Sequence, residues 1–168
     1  GVSQNFRTNK KLSAKKIYDF IYVSNFAQHK NHKFLLSEMF NGKNICLVGK
    51  NINLTPTEHE SYVDKFTVFS DVCEEDLISL YSQSRALIFP SLVEGFGMPI
   101  VEAFCLDIPI YTSDLPVFRE LLSQTGGKII DVDNTQTLEI ILEYPATVPK
   151  THFTWESAVD KLVQEAFL

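Results

Sequence analysis

Apolar residues recur along the chain in two kinds of segment, short runs and stretches with helical spacing. The short runs are rich in Ile, Val, Phe and Tyr and are bounded by polar or turn residues, which is typical of buried strands. These runs predict strands over 17–23, 45–48, 68–69, 86–89, 108–111 and 128–130. Apolar residues at helical spacing and helix-start signals predict helices between and after them, over 31–40, 56–65, 74–81, 99–104, 117–122 and 154–167.

Strands and helices therefore alternate throughout, and the strands read as apolar on both faces. This pattern predicts an α/β fold, a Rossmann-like parallel sheet with helices on both faces and right-handed crossovers. Ligands of such sheets bind at the carboxyl ends of the strands. The loops over 24–33 and 90–98 both follow strands, so we expect them to meet at one edge of the sheet.

The charge of the chain is unevenly distributed. Its 168 residues carry a formal charge of −6, with ordinary hydrophobic (45%) and charged (21%) contents. Residues 1–16 hold five bases and no acid, so the remainder has 10 bases against 21 acids, a net charge of −11. A body this acidic argues against nucleic-acid binding. The basic start suits a solvated linker better than a lipid-binding segment.

The cysteines and the lengths of the apolar runs indicate the cellular compartment of the protein. Cys46, Cys73 and Cys105 are odd in number, far apart and beside apolar segments, so we expect buried, reduced thiols. No apolar run approaches the roughly 18 residues that a membrane span needs. A cytoplasmic protein is therefore expected.

The stretch over 86–104 combines a strand, a glycine-bearing loop and a helix that begins near Pro99. This arrangement directs backbone N–H groups and a helix dipole at an anion. Glu94 lies in the loop and Glu102 in the helix, and carboxylates are acceptors for sugar hydroxyls. On spacing alone, two interpretations stay open: a site for a ligand with phosphates and hydroxyls, or a tight turn with two surface glutamates.

The same stretch is similar to a family signature. It resembles the pattern PS-x-x-EGFG-x-P-x-x-EA of retaining glycosyltransferases of family 4 (glycosyl transferases group 1), which have the GT-B fold. The matching residues are Pro90-Ser91, Glu94-Gly95-Phe96-Gly97-Met98-Pro99 and Glu102-Ala103. The resemblance implies that this segment is the donor-sugar site. It covers nearly the whole chain.

The resemblance implies a role for each matching residue. Glu94 would bind the hydroxyls of the donor sugar, and Glu102 would bind the ribose hydroxyls. The backbone N–H groups of the loop would approach the sugar and the diphosphate; they belong to Gly95, Phe96, Gly97 and Met98.

The first strand is followed by a cationic loop, which suits a pyrophosphate when a helix N-terminus adds its dipole. The family has an arginine and a lysine here on the donor diphosphate. Lys30 matches the lysine, and Glu94 and Lys30 are the catalytic candidates. Asn25 stands in place of the arginine, and an amide brings no charge. Val72 lies where the nucleotide base packs in the family, although a simple turn is an equal interpretation there.

Residues 1–6 resemble the linker that leads into the second domain of these enzymes. The expected organisation is an interdomain linker remnant over 1–16 and a nucleotide-sugar-binding domain over 17–168. On this interpretation the chain is the C-terminal half of a GT-B enzyme, inactive without the N-terminal acceptor domain.

The resemblance implies transfer of a hexose from a nucleoside-diphosphate sugar to a glycan or lipid-linked acceptor, in bacterial cell-surface polysaccharide synthesis. The sugar nucleotide is the donor substrate, and no cofactor or metal is expected; Asp131-Val132-Asp133 is interpreted as a polar turn. Peripheral association of the full-length protein with the inner face of the membrane stays open. The alternatives are a GT-B epimerase or phosphorylase half and a non-catalytic phosphate-binding regulatory module.

Overall fold

The strands form a single parallel sheet. The structure is a computed structural model that describes residues 3–8, 14–25, 27–49, 62 and 65–132. Within these residues a six-stranded sheet has the order β3-β2-β1-β4-β5-β6. Its strands are β1 (Tyr18–Val23), β2 (Ile45–Gly49), β3 (Thr67–Ser70), β4 (Ser84–Phe89), β5 (Ile110–Thr112) and β6 (Lys128–Ile129). The prediction of a Rossmann-like parallel α/β sheet is confirmed, and each predicted strand overlaps an observed one.

Four α-helices accompany the sheet in the described part of the chain: α1 (Gln4–Thr8), α2 (Glu74–Ser82), α3 (Met98–Cys105) and α4 (Pro116–Thr125). Local sequence accounts for where they begin. Three acidic residues occupy the first turn of α2, where they interact favourably with the helix dipole. Proline stands in the first turn of α3 and of α4, where its missing N–H costs nothing.

Both faces of the sheet are buried, because alternate strand residues point to opposite sides. On one face, Ile21 and Leu87 pack with the apolar residues of the α-helices. On the other face, Phe20 and Tyr22 pack with side chains from the segment 34–40 and with Tyr62. Edge-to-face contacts such as Phe20 with Phe40, at 5.7 Å between ring centroids, tie this second layer to the sheet.

The segment 31–40 is not the amphipathic α-helix that its pattern predicts, and that prediction is wrong. The chain forms three short 3-10 helices instead: Gln28–Lys30, His32–Leu36 and Glu38–Phe40. Asn31 has a left-handed backbone (φ 53°) and Ser37 an extended one (ψ 155°), so each interrupts the helical path. The apolar residues behind that prediction still face the core: Leu35 and Phe40 are buried, and Leu36 and Met39 are partly buried and pack against the same cluster.

The order in which strands are added to the sheet reverses between β1 and β4. From β1 the chain builds β2 and β3 to one side, and from β4 it builds β5 and β6 to the other. Strands β1 and β4 are paired in parallel, with Phe20 beside Ala86. The connections after these two strands therefore leave in opposite directions and form a crevice at the carboxyl ends, which is where open α/β sheets bind ligands.

The described part of the predicted linker over 1–16 packs against the domain. Phe6 in α1 is 3% exposed and meets the ring of Tyr81 edge-on, at 6.2 Å between centroids. The ammonium group of Lys16 donates to the carbonyl oxygens of Ser82 (2.9 Å) and Ser84 (2.7 Å). Burial, followed by the nearby charge of Arg85, lowers the pKa of Lys16. These contacts anchor both ends of the segment to the α2–β4 region.

The cysteine prediction is correct for two of the three thiols. Cys46 and Cys105 are free and buried, whereas Cys73 is exposed. Cys73 immediately precedes α2, where the polar first turn faces solvent rather than the core. Most of the predicted helix over 56–65, all of the helix over 154–167 and Asp133 lie outside the described residues. Among the helices that the structure describes, none has the length and apolarity to cross a membrane.

Candidate functional site

A pocket of about 490 Å³ lies at the carboxyl ends of β1 and β4, the two strands between which the strand order reverses. Eight of the nine predicted site residues line it: Asn25, Lys30, Val72, Glu94, Phe96, Gly97, Met98 and Glu102. The ninth, Gly95, is exposed in the same loop and does not line the pocket. The loops over 24–33 and 90–98 therefore meet at one edge of the sheet, as their positions after strands predict.

Gly97 sets the course of the loop into α3. Its φ of 103° is a conformation that side-chain-bearing residues rarely adopt. A Cβ at this position would also lie 3.0 Å from Cε1 of Phe118 and 3.1 Å from Cδ1 of Ile100. Gly97, Met98 and Pro99 all line the pocket, so the first turn of α3 and the positive end of its dipole open onto it.

Lys30 and Glu94 form an ion pair inside the pocket. Nζ of Lys30 lies 2.5 Å from Oε1 of Glu94, and the two side chains are only 17% and 9% exposed. The hydroxyl of Ser91 donates to the same oxygen at 3.0 Å. The predicted sugar-binding carboxylate and the predicted phosphate-binding cation therefore form an ion pair with each other.

The backbone holds these two residues in place. The N–H of Leu92 donates to the carbonyl of His29 at 2.8 Å, which joins the two loops directly. The hydroxyl of Tyr22 donates to the carbonyl of Lys30 at 3.2 Å. The position of Lys30 thus depends on β1 as well as on the opposite loop, although 64 residues separate it from Glu94.

Glu102 has a partner that sequence reasoning missed. It projects from α3 into the pocket, and its Oε2 accepts a hydrogen bond from the hydroxyl of Tyr81 at 2.9 Å. Burial raises the pKa of Glu102, the hydrogen bond from Tyr81 lowers it, and the charge of Glu74 raises it again. The available signal was the phenol itself, because a buried tyrosine hydroxyl usually requires a partner.

The charges around the pocket are unequal in sign. Of the described residues that line it, Lys30 is the one basic side chain, whereas Glu94 and Glu102 are both acidic. Asn25 brings no charge, and its Oδ1 accepts from the N–H of Ala27 at 3.3 Å to close a turn. The α-helix dipole that was expected to reinforce this loop is missing, because short 3-10 helices form the described chain over 28–40.

The remaining walls of the pocket are mostly apolar. They come from strand ends and from the start of α2, positions that the sequence motifs do not mark. The lining residues outside the motifs are Val23, Ser24, Val48, Gly49, Leu77 and Phe89, and Pro99 of the motif lines the pocket as well. An apolar pocket with a few polar groups at one side is the usual form of a small-molecule site. In the described part of the chain, no three His, Cys, Asp or Glu side chains are placed together to hold a metal ion.

Comparison with curated proteins identifies mannosyltransferases among the relatives. The O-antigen chain mannosyltransferase RfbU of Salmonella typhimurium is 35% identical over 86 residues, which cover 51% of this chain and 24% of RfbU. The serotype-specific mannosyltransferase WbdA of Escherichia coli is 34% identical over 117 residues, 62% of this chain and 14% of WbdA. The matches thus span a quarter or less of these relatives' length.

Solved structures share the fold at low sequence identity. AviGT4, a glycosyltransferase involved in avilamycin A biosynthesis, superimposes with a TM-score of 0.64 at 16% identity, covering 83% of this chain and 45% of that one. The pneumococcal O-GlcNAc transferase GtfA, solved with UDP and GlcNAc, has a TM-score of 0.55 at 17% identity, covering 76% of this chain and 28% of that one.

A family profile matches most of the chain. The profile of the family described as glycosyl transferases group 1 covers residues 3–144, which include both pocket loops and all six strands. The chain belongs to the glycosyl transferases group 1 family.

Proposed function

We propose that this chain is the nucleotide-sugar-binding domain of a retaining glycosyltransferase with the GT-B fold. It would transfer a hexose from a nucleoside-diphosphate sugar to a glycan or lipid-linked acceptor in bacterial cell-surface polysaccharide synthesis. The observation that carries the proposal is the pocket itself, in which Lys30 lies with Glu94 beside the first turn of α3. The names of RfbU and WbdA favour mannose as the hexose.

Each side of the pocket suits one part of such a donor. The apolar walls, with Val72 among them, fit a nucleotide base, and Glu102 fits the hydroxyls of its ribose. Lys30 and the start of α3 fit the diphosphate, since a cation and a helix N-terminus both favour an anion. Glu94 and the loop backbone near it then face the sugar.

The Lys30–Glu94 ion pair must open when the donor binds. The diphosphate competes with Glu94 for the ammonium group, and the sugar hydroxyls then donate to the released carboxylate. Both charges thus exchange one partner for another, so that neither is left buried and unpaired. The exchange is consistent with the contact between two oppositely charged groups that would bind different parts of the donor.

In the reaction, the bond between the anomeric carbon and the diphosphate oxygen breaks, and a bond from the acceptor oxygen forms on the same face of the sugar. The acceptor proton passes to the departing diphosphate. Negative charge grows on that leaving group, so Lys30 and the dipole of α3 stabilise the transition state more than the ground state. We assign acceptor binding to a second domain of the GT-B enzyme, and we expect the isolated chain to bind donor without transferring sugar.

Calorimetric titration of the chain with UDP, GDP and ADP tests the proposal, with the matching nucleosides and inorganic pyrophosphate as controls. We expect one diphosphate to bind more tightly than its nucleoside, since Lys30 contributes only to the former, and more tightly than pyrophosphate. Absence of binding by all three diphosphates would overturn the proposal. Pyrophosphate that binds as well as every nucleotide would instead support the regulatory phosphate-binding alternative.

A further inference from the structure

Tyr81 is a buried residue outside the pocket whose hydroxyl points towards the pocket wall. It lies on α2 and has no exposed surface. Its hydroxyl donates to Oε2 of Glu102 at 2.9 Å, with the carbonyl of Pro99 also near at 3.4 Å. The ring of Phe6 meets it edge-on. The phenol is therefore held by packing on α2 and presents its O–H to the first turns of α3.

Glu102 projects from the second turn of α3 and lines the pocket. A free glutamate side chain has several rotamers, but a hydrogen bond from a rigid donor selects among them. Tyr81 occupies one of about four acceptor positions of the carboxylate, so the others stay available to a ligand. The hydrogen bond thus orients the carboxylate without blocking it.

We propose that Tyr81 is a positioning residue for Glu102: its hydroxyl orients the carboxylate so that the carboxylate binds the ribose hydroxyls of the donor nucleotide. The inference rests on the proposed function, because it takes ribose as the ligand of Glu102. Tyr81 would thus contribute to recognition of the ribose without touching the donor.

Electrostatics give the hydroxyl a second effect. Burial raises the pKa of Glu102, and Glu74 on α2 raises it further, whereas the hydrogen bond from Tyr81 opposes both. Burial also raises the pKa of Tyr81 well above its usual value, so the phenol remains a donor. The other charged groups around the pocket are Lys30 and Glu94, which are paired with each other.

Loss of the hydroxyl should therefore raise the pKa of Glu102. A protonated carboxyl group becomes a donor and loses acceptor capacity, so it binds a pair of hydroxyls less well. Ribose recognition in a variant without the hydroxyl should then weaken at a higher pH than in the parent protein. A residue that only filled the core would not change this pH profile.

The test compares Tyr81→Phe with Tyr111→Phe, a matched control that removes the hydroxyl of a buried tyrosine in the other core cluster. Affinities are measured for whichever of UDP, GDP and ADP binds most tightly and for its 2′-deoxy and 3′-deoxy analogues, at about pH 6 and about pH 8. The readout is the ratio of ribose to deoxyribose affinity. Both affinities in a ratio are measured on the same variant, so a smaller folded fraction lowers both equally and leaves the ratio unchanged.

We expect the parent and Tyr111→Phe to prefer the ribonucleotide by roughly tenfold or more, as for a hydrogen bond to a charged group. In Tyr81→Phe this preference should fall to about threefold or less, with the larger loss at the lower pH. In a Glu102→Gln background, Tyr81→Phe should have no further effect on the ratio.

A second variant reaches the same carboxylate from the surface. Glu74 is exposed, so Glu74→Gln leaves the core intact while removing a charge that raises the pKa of Glu102. Its ribose preference should therefore persist to a lower pH than that of the parent. An unchanged ratio and pH profile in Tyr81→Phe, or an unchanged pH profile in Glu74→Gln, would overturn the inference. Absence of nucleotide binding by the parent would instead overturn the proposed function.

Discussion

Lys30 and Glu94 show how the meaning of a residue depends on its partner. Each has a clear role by residue type, a cation for phosphate and a carboxylate for hydroxyls, yet in the structure they bind each other. Both side chains are largely buried, and opposite charges attract more strongly in the protein interior than at the surface. Substitution of either residue therefore also changes the state of the other.

Lys30→Ala should weaken binding of a nucleoside diphosphate by roughly tenfold or more, because a charged hydrogen bond to phosphate is lost. Binding of the corresponding nucleoside should hardly change. Lys33→Ala is the matched control, since Lys33 is an exposed lysine three residues further along. Calorimetry at fixed ionic strength gives the affinities, as salt screens phosphate contacts. If Lys30→Ala and Lys33→Ala have equal effects, Lys30 is not the phosphate ligand.

Asn25→Arg should strengthen diphosphate binding, because a guanidinium can grip phosphate oxygens in a bidentate manner. Asn25 already lines the pocket, although its present side chain only closes a turn onto Ala27. The same substitution should partly rescue Lys30→Ala, since both side chains act on one anion. Four-way comparison of the parent, the two single variants and the double variant measures the coupling. Strictly additive effects would contradict a shared anion site.

Glu94→Gln should have opposite effects on two ligands. Without the carboxylate, Lys30 is released from its ion pair and the pocket loses one negative charge, so diphosphate affinity should rise. The parent should bind the intact nucleotide sugar more tightly than the nucleoside diphosphate. In Glu94→Gln this difference in affinity should be smaller, because residue 94 no longer accepts sugar hydroxyls as an anion. The two affinities are measured with the same protein preparation. A fall in diphosphate affinity would show that the ion pair does not compete with the ligand.

Glu102→Gln should gain stability relative to the parent as pH rises, while it weakens nucleotide binding. The folded protein raises the pKa of Glu102 above its ordinary value of 4.5, mainly by burial. Stability from this group is therefore present below about pH 4.5 and is lost as pH rises through the folded pKa. Glutamine does not titrate, so the stability of the variant relative to the parent should increase from pH 4 to about pH 7. Urea unfolding across this range measures it, and a pH-independent difference would contradict the raised pKa.

At the level of elements, the loop before α3 and the segment after β1 differ in how strongly the local sequence determines the backbone conformation. The loop contains a glycine whose conformation and close neighbours admit almost no other residue. The segment 28–40 has no such constraint, and it divides into 3-10 turns because its side chains fit under the sheet that way. Only the loop is thus determined locally.

Gly97→Ala should destabilise the protein by about 1–3 kcal/mol, the usual cost of a residue forced into a sparsely populated backbone conformation. The contact with Phe118 adds to the strain. Gly95→Ala is the matched control, because a Cβ there meets nothing within 4 Å and its φ is not positive. That control should stay within about 0.5 kcal/mol of the parent. Thermal or urea unfolding compares the two, and equal stabilities would contradict the geometry of the loop.

At the scale of the whole molecule, the three thiols report on folding. Cys73 is exposed, whereas Cys105 is buried and burial raises the pKa of buried Cys46 to about 12. In native protein one thiol should therefore react rapidly with an aromatic disulfide reagent, and in urea all three should react. Cys73→Ser should abolish the rapid phase. Rapid reaction of a second thiol in the native protein would show that the core is open to the reagent.

The sequence by itself determined the α/β class and most strand positions, because a segment buried on both faces must be apolar along its length. The geometry common to parallel sheets indicated that the loops over 24–33 and 90–98 would meet at one edge of the sheet. The resemblance to the family signature indicated which residues would surround the pocket there. Eight of the nine candidates line it, including Lys30 and Glu102.

Only the tertiary structure decided the strand order, the path of residues 28–40 and the partners of the charged groups. The bond from Tyr81 to Glu102 spans 21 residues, and the contact of Lys30 with Glu94 spans 64. Such contacts depend on how separate elements dock, and periodicity within one element carries no information about docking. The choice between α-helix and 3-10 turns was likewise left open by the pattern, since residues three apart share a face in both.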